Sequence, residues 1–65
     1  MKTSERLKEI SKKTGLKQYV IAERCGYTAK VFNQLVNGRK PILDTDIIKI
    51  CIGLGITPND LIVLD

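Results

Sequence analysis

The stretch QYVIAERCGYTAKVFNQL, residues 18–35, decides the fold. Ala22 is a small residue in the middle of a first short helical segment, where a larger side chain would push a second segment away. Gly26 follows four positions later. Without a Cβ it readily takes the left-handed backbone that ends one helix and redirects the chain. Thr28 then offers a short hydroxyl to the first free N–H groups of a following helix. Ile21, Cys25, Phe32 and Leu35 form an apolar wedge between the segments, with Tyr27 partly covering the turn. Ala29, Lys30, Val31, Asn33 and Gln34 are left on the outward side. Two short helices crossing tightly at a glycine turn are a helix-turn-helix, a unit that presents its second helix to the DNA major groove.

Outward from this stretch, segments with helical apolar spacing are punctuated by glycine, and five helices follow. The first is expected from about Ser4 to Thr14, burying Leu7 and Ile10, with Thr3 or Ser4 as its cap and Lys12 and Lys13 near the negative end of its dipole. The second and third span about Gln18 to Cys25 and Thr28 to Val36. The fourth, about Asp44 to Leu54, carries Ile47, Ile50, Cys51 and Leu54 at core-facing spacing. Gly53 interrupts it at a cost of about 1 kcal/mol relative to Ala, so a close helix contact that excludes a methyl group is expected there. Thr57, Pro58 and Asp60 open the fifth as capping hydroxyl, first-turn proline and returning carboxylate. It would bury Leu61 and Leu64. No alternating run bounded by hairpin turns appears, so the expected class is all-α. Asn37 to Leu43 reads as a loop.

At 65 residues the chain has room for one core, a single domain over residues 1–65, since so short a chain buries only about 60% of its unfolded surface. The formal charge of +4 is unevenly spread. Residues 1–40 hold ten Lys or Arg against three Glu, whereas residues 41–65 hold one Lys against four Asp. Such a chain orients in the field of a polyanion. Lys8, Lys12 and Lys13 read equally well as helix solvation. No apolar run of membrane-spanning length and no leader is seen, which points to a cytoplasmic protein without membrane association. Cys25 and Cys51 fall on apolar helix sides and are expected as buried, reduced thiols; with no histidine in the chain, no metal or other cofactor is expected. No glycine-rich phosphate loop or histidine suggests an enzyme, and Cys25 occupies a packing position.

Leu16, Gln18, Ala22, Gly26, Thr28, Phe32, Leu35 and Gly38, followed by Ile47, Ile50, Leu54, Gly55 and Leu61, resemble the five-helix DNA-binding domain of lambdoid phage repressors, Cro proteins and the xenobiotic-response-element class of bacterial regulators. The resemblance covers about Glu5 to Ile62. It implies that Gln18, opening the second helix, anchors a phosphate and that Ala29, Lys30, Asn33 and Gln34 read bases. This chain departs from the pattern in three places. Lys17 stands where a capping Thr or Asn is common. Ser11 and Val36 occupy the positions of an Arg and Glu pair, so that contact must be absent or apolar. Pro41 comes one place early, which alters the loop carrying Arg39 and Lys40.

With the third helix in the major groove, Lys30 would donate to guanine O6 and N7, Asn33 and Gln34 would pair with adenine, and Ala29 and Val31 would touch thymine methyls. Lys17, Gln18, Tyr19, Thr28, Asn37, Arg39 and Lys40 are the expected phosphate contacts. Asn37 reads equally as a helix-end residue and Tyr19 as a half-exposed ring. Val20, Val36, Ile42, Ile48, Ile52 and Val63 find no obvious place in a small core. Ile48, Ile52 and Val63 are accordingly expected in a homodimer interface, with two third helices on an inverted-repeat operator. The expected function is a sequence-specific double-stranded-DNA-binding regulator, a repressor. The alternative is a protein-interaction module, an antitoxin or adaptor, built on the same fold.

Overall fold

The structure, a computed structural model, describes residues 2–62. The helices are α1 (Thr3–Thr14), α2 (Gln18–Cys25), α3 (Ala29–Val36), α4 (Asp44–Leu54) and α5 (Pro58–Leu61), with no strand among the described residues. The all-α five-helix expectation holds. Met1, Val63, Leu64 and Asp65 lie outside the described residues, and with them the expected burial of Leu64 and the interface role of Val63.

The start of α1 differs from expectation. Neither Thr3 nor Ser4 caps it: Lys2 is the N-cap, without a side-chain hydrogen bond, and its carbonyl accepts the Arg6 N–H at 3.0 Å. The backbone closes this turn on its own, so Thr3 and Ser4 lie inside the first turn of the helix and not at its cap.

The helix-turn-helix is built as its residues dictate. α2 ends at Gly26, whose φ of 82° lies in the left-handed region, and the Tyr27 N–H reaches back to the Ala22 carbonyl at 2.8 Å. The chain turns within two residues and enters α3 with Thr28 Oγ1 accepting the Val31 N–H at 3.2 Å. Ala22, Phe32 and Leu35 are fully buried. The apolar side of α3 is wider than expected. Val36 is buried beside Leu35, and Val31, one turn before Leu35, packs half-buried against the core. Positions four apart share one helix side, so Val31 goes with Leu35 and Phe32 with Val36.

α2 also packs extensively on α4, and Gly53 is the reason they come so close. A Cβ built there would lie 2.6 Å from Cys25 Sγ and 2.8 Å from the Arg24 carbonyl oxygen. The expected exclusion of a methyl group is borne out, with α4 backbone resting on the last turn of α2. Leu7, Ile21, Ile50, Cys51 and Leu61 complete one core drawn from all five helices. Ile42, expected as surplus, packs against this core, and Val20 is half-buried.

Local chemistry holds the remaining ends. Leu43 has no side-chain oxygen to cap α4, but its N–H donates to Asp46 Oδ2 at 2.9 Å. At α5, Asp60 Oδ2 accepts from both the N–H and the hydroxyl of Thr57, each at 3.0 Å. Arg6 Nε donates to the Asp60 carbonyl at 2.9 Å, tying α1 to α5.

Candidate nucleic-acid interface

The outward side of α3 stands clear of the rest of the described chain, with Ala29, Lys30 and Asn33 exposed. Gln34 is half-buried, and its carbonyl accepts the N–H groups of Arg39 at 2.9 Å and Lys40 at 3.3 Å. Val31, expected to touch a thymine methyl from the outward side, is half-buried and packs against the core.

The turn that aims α3 is held from α4. Tyr27 Oη donates to Asp46 Oδ1 at 2.6 Å, and Lys49 Nζ sits 4.2 Å from the Tyr27 ring centroid. The same ring lies 6.3 Å from that of Phe32. Both Asp46 oxygens are therefore engaged, one by Tyr27 and one by the Leu43 N–H. The phenol bond, then the backbone bond, pull the Asp46 carboxyl below its ordinary pKa. Burial, reinforced by the Asp46 bond, pushes Tyr27 up, so the phenol stays a donor. Sequence reading placed Tyr27 at the turn but did not find Asp46 or Lys49. The only local signal is Asp46 three residues after Leu43, at the position of a returning carboxylate.

The expected phosphate contacts Lys17, Gln18, Tyr19, Thr28, Asn37, Arg39 and Lys40 are all exposed. Lys17 is the N-cap of α2 without a side-chain hydrogen bond, and its carbonyl takes the N–H groups of both Val20 and Ile21. Thr28 Oγ1 accepts from Val31, leaving its own proton to donate outward. Asn37 performs the helix-end role: its Nδ2 donates to the Asn33 carbonyl at 2.9 Å, and one amide hydrogen remains.

A groove of about 300 Å³ runs where α1, α2 and α3 meet. Its walls carry Lys8 and Lys12 from α1, Gln18 from α2, Asn33 from the middle of α3 and Asn37 at its C-cap. Leu16, Ile21 and Val36 form its apolar part, and Ser11 adds a hydroxyl that is buried without a hydrogen-bond partner. The expected loss of a polar link between positions 11 and 36 is thus what the structure has. A second groove adjoins it, sharing Lys8 and Asn37 and adding Lys2 and Lys40. Lys17, Tyr19, Lys30 and Arg39 line neither groove.

Cys25 and Cys51 are free and buried. Burial and the neighbouring Cys51 push the Cys25 thiol above its ordinary pKa, against a smaller opposing effect of Lys49. A thiol held protonated in a core is a packing group, not a nucleophile.

A two-turn helix presented outward, a glycine turn clamped from behind and a groove lined by cations and amides define a helix-turn-helix DNA-binding domain. The chain belongs to the Cro/C1-type helix-turn-helix DNA-binding domain family, which it matches over residues 6–65. It has no significant match among curated proteins or solved structures. No helix among the described residues is long and apolar enough to cross a membrane.

Proposed function

We propose that this domain is a sequence-specific transcriptional repressor that inserts α3 into the major groove of an inverted-repeat operator as a homodimer. The observation that carries this reading is the free outward side of α3 in a Cro/C1-type domain: Ala29, Lys30 and Asn33 stand exposed beside the amide of Gln34. Lys30 donates to guanine O6 and N7. Asn33 and Gln34 pair with adenine edges, and Ala29 meets a thymine methyl. One good bidentate pair discriminates by about 1–3 kcal/mol, so a few contacts per half-site specify a short sequence and two half-sites make it usable. Lys17, Gln18, Tyr19, Thr28, Asn37, Arg39 and Lys40 set the register on the sugar-phosphate backbone without reading sequence.

Homodimerisation is supported by the outer side of α4. Ile48 is 59% and Ile52 78% exposed, one turn apart, and nothing within the described chain covers them. Two bodies of 29 × 23 × 20 Å in contact suit half-sites about 34 Å apart. The experiment is selection of bound duplexes from a random pool, followed by affinity against salt. Enrichment of an inverted repeat, with a steep log-log salt slope, is the expected outcome. No enriched sequence and a flat slope would overturn the reading in favour of the protein-interaction module.

A further inference from the structure

We propose that α1 is a further wall of the DNA-binding surface, with Lys8 and Lys12 taking backbone phosphates over the groove they share with Gln18, Asn33 and Asn37, while Lys13 takes none. This rests on the DNA-binding reading above and names residues that neither the helix-turn-helix motif nor the match to the family assigns.

The three lysines are equivalent in sequence, all on one amphipathic helix. In three dimensions they differ. Among the described residues, Glu9 holds Lys13 at 3.7 Å and Arg6 at 3.2 Å, whereas no ion pair engages Lys8 or Lys12. Lys8 and Lys12 lie four residues apart and so project from one side of α1. That side lines the groove bearing Gln18 at the start of α2, Asn33 within α3 and Asn37 at its C-cap. No carboxylate lines this groove, so no fixed negative charge within it competes for the two ammonium groups. Lys8 also lines the adjoining groove, where three lysines, Lys2, Lys8 and Lys40, stand against one carboxylate, Glu5. The ligand chemistry that fits a row of lysines interleaved with amide donors is a run of phosphodiesters, each met by a mobile point charge.

The test uses the full chain and its selected duplex, with Lys8→Gln, Lys12→Gln, the double variant and Lys13→Gln. All three substituted positions are on the helix exterior, and thermal melts check that the fold is unchanged. The expected result is a log-log salt slope shallower by about 0.9 for each of the first two and by about 1.8 for the double variant, with the preferred sequence unaltered and Lys13→Gln like wild type. Phosphate ethylation adds a positional readout: a phosphate whose ethylation weakens wild-type binding ceases to matter in the double variant. A steep wild-type slope that the double variant retains overturns this inference alone. An equal loss in Lys13→Gln also overturns it, since the effect is then one of net charge. A flat wild-type slope overturns the proposed function and this inference together.

Discussion

Tyr27 and Asp46, 19 residues apart in sequence, are joined by a 2.6 Å hydrogen bond that fastens the helix-turn-helix turn to the first turn of α4. It adds a polar tie to the close packing of α4 on the last turn of α2 at Gly53. Lys49 lies across the same ring and completes the clamp.

Tyr27→Phe keeps the ring against Phe32 and beneath Lys49 but removes the donor to Asp46. A hydrogen bond to a charged acceptor contributes about 1.5–3 kcal/mol when shielded, and both partners here are half-exposed. The expected loss is about 1 kcal/mol in urea unfolding. An unchanged midpoint would show that the bond does not hold the turn.

Acid should weaken the fold through two carboxylates. Hydrogen bonds from Tyr27 and Leu43 depress the Asp46 pKa, and those from the backbone and hydroxyl of Thr57 depress that of Asp60. For a depressed carboxyl the folded state binds fewer protons than the unfolded one, so stability rises with pH in this window. The contribution is complete above the unfolded value of about 3.9 and is lost as pH falls through the lower folded values. Asp46→Asn, already weaker at pH 7, is expected to lose less than wild type on acidification from about pH 5 to 2. Parallel declines in denaturation midpoint would remove Asp46 from the account.

Gly53→Ala sets two effects against each other. Alanine favours the helix by about 1 kcal/mol, yet its Cβ would stand 2.8 Å from both the Arg24 carbonyl oxygen and Cys25 Cα, backbone atoms that cannot swing aside. Overpacking of this kind costs about 1–3 kcal/mol, and the backbone contact places it at the upper end. A net loss of about 1–2 kcal/mol is expected, or a melting temperature lower by roughly 4–15 °C. A melting temperature equal to or above wild type would contradict the packing of α4 on α2.

On DNA, Lys30→Ala and Asn33→Ala are expected to relax preference at single base positions by about 1–3 kcal/mol each. Gln18→Ala, by contrast, should weaken all duplexes alike. Binding matrices from selected pools separate the two patterns, and a uniform loss in all three variants would remove Lys30 and Asn33 from base reading.

Ile48→Asp and Ile52→Asp place a charge on the outer side of α4 without touching the core. Sedimentation equilibrium should report a monomer where the wild type is a dimer, with half-site affinity preserved. A wild type that stays monomeric both free and on its operator would refute the proposed interface.

Much of the fold was readable because its signals are local. Gly26, Thr28 and the Thr57–Pro58–Asp60 trio act within a few residues of themselves, and Gly53 was conspicuous as a glycine inside an apolar helix. Four features escaped for physical reasons. α1 starts early because the Lys2 carbonyl closes its first turn, while Thr3 and Ser4 merely resemble caps. Val31 was placed outward because an eight-residue helix gives periodicity little to work with. The Tyr27–Asp46 clamp and the difference between Lys13 and its two neighbours depend on tertiary placement, which no spacing rule encodes.

The Gln34 carbonyl receives the backbone of both Arg39 and Lys40, so the strap of chain leaving α3 is already set in place before anything binds. Ordering one backbone residue takes about 1–2 kcal/mol of conformational entropy. Here that loss is incurred once, during folding, and the association step is spared it. In the proposed complex only the long side chains of Arg39 and Lys40 would remain to be immobilised, which favours rapid capture over slow adaptation.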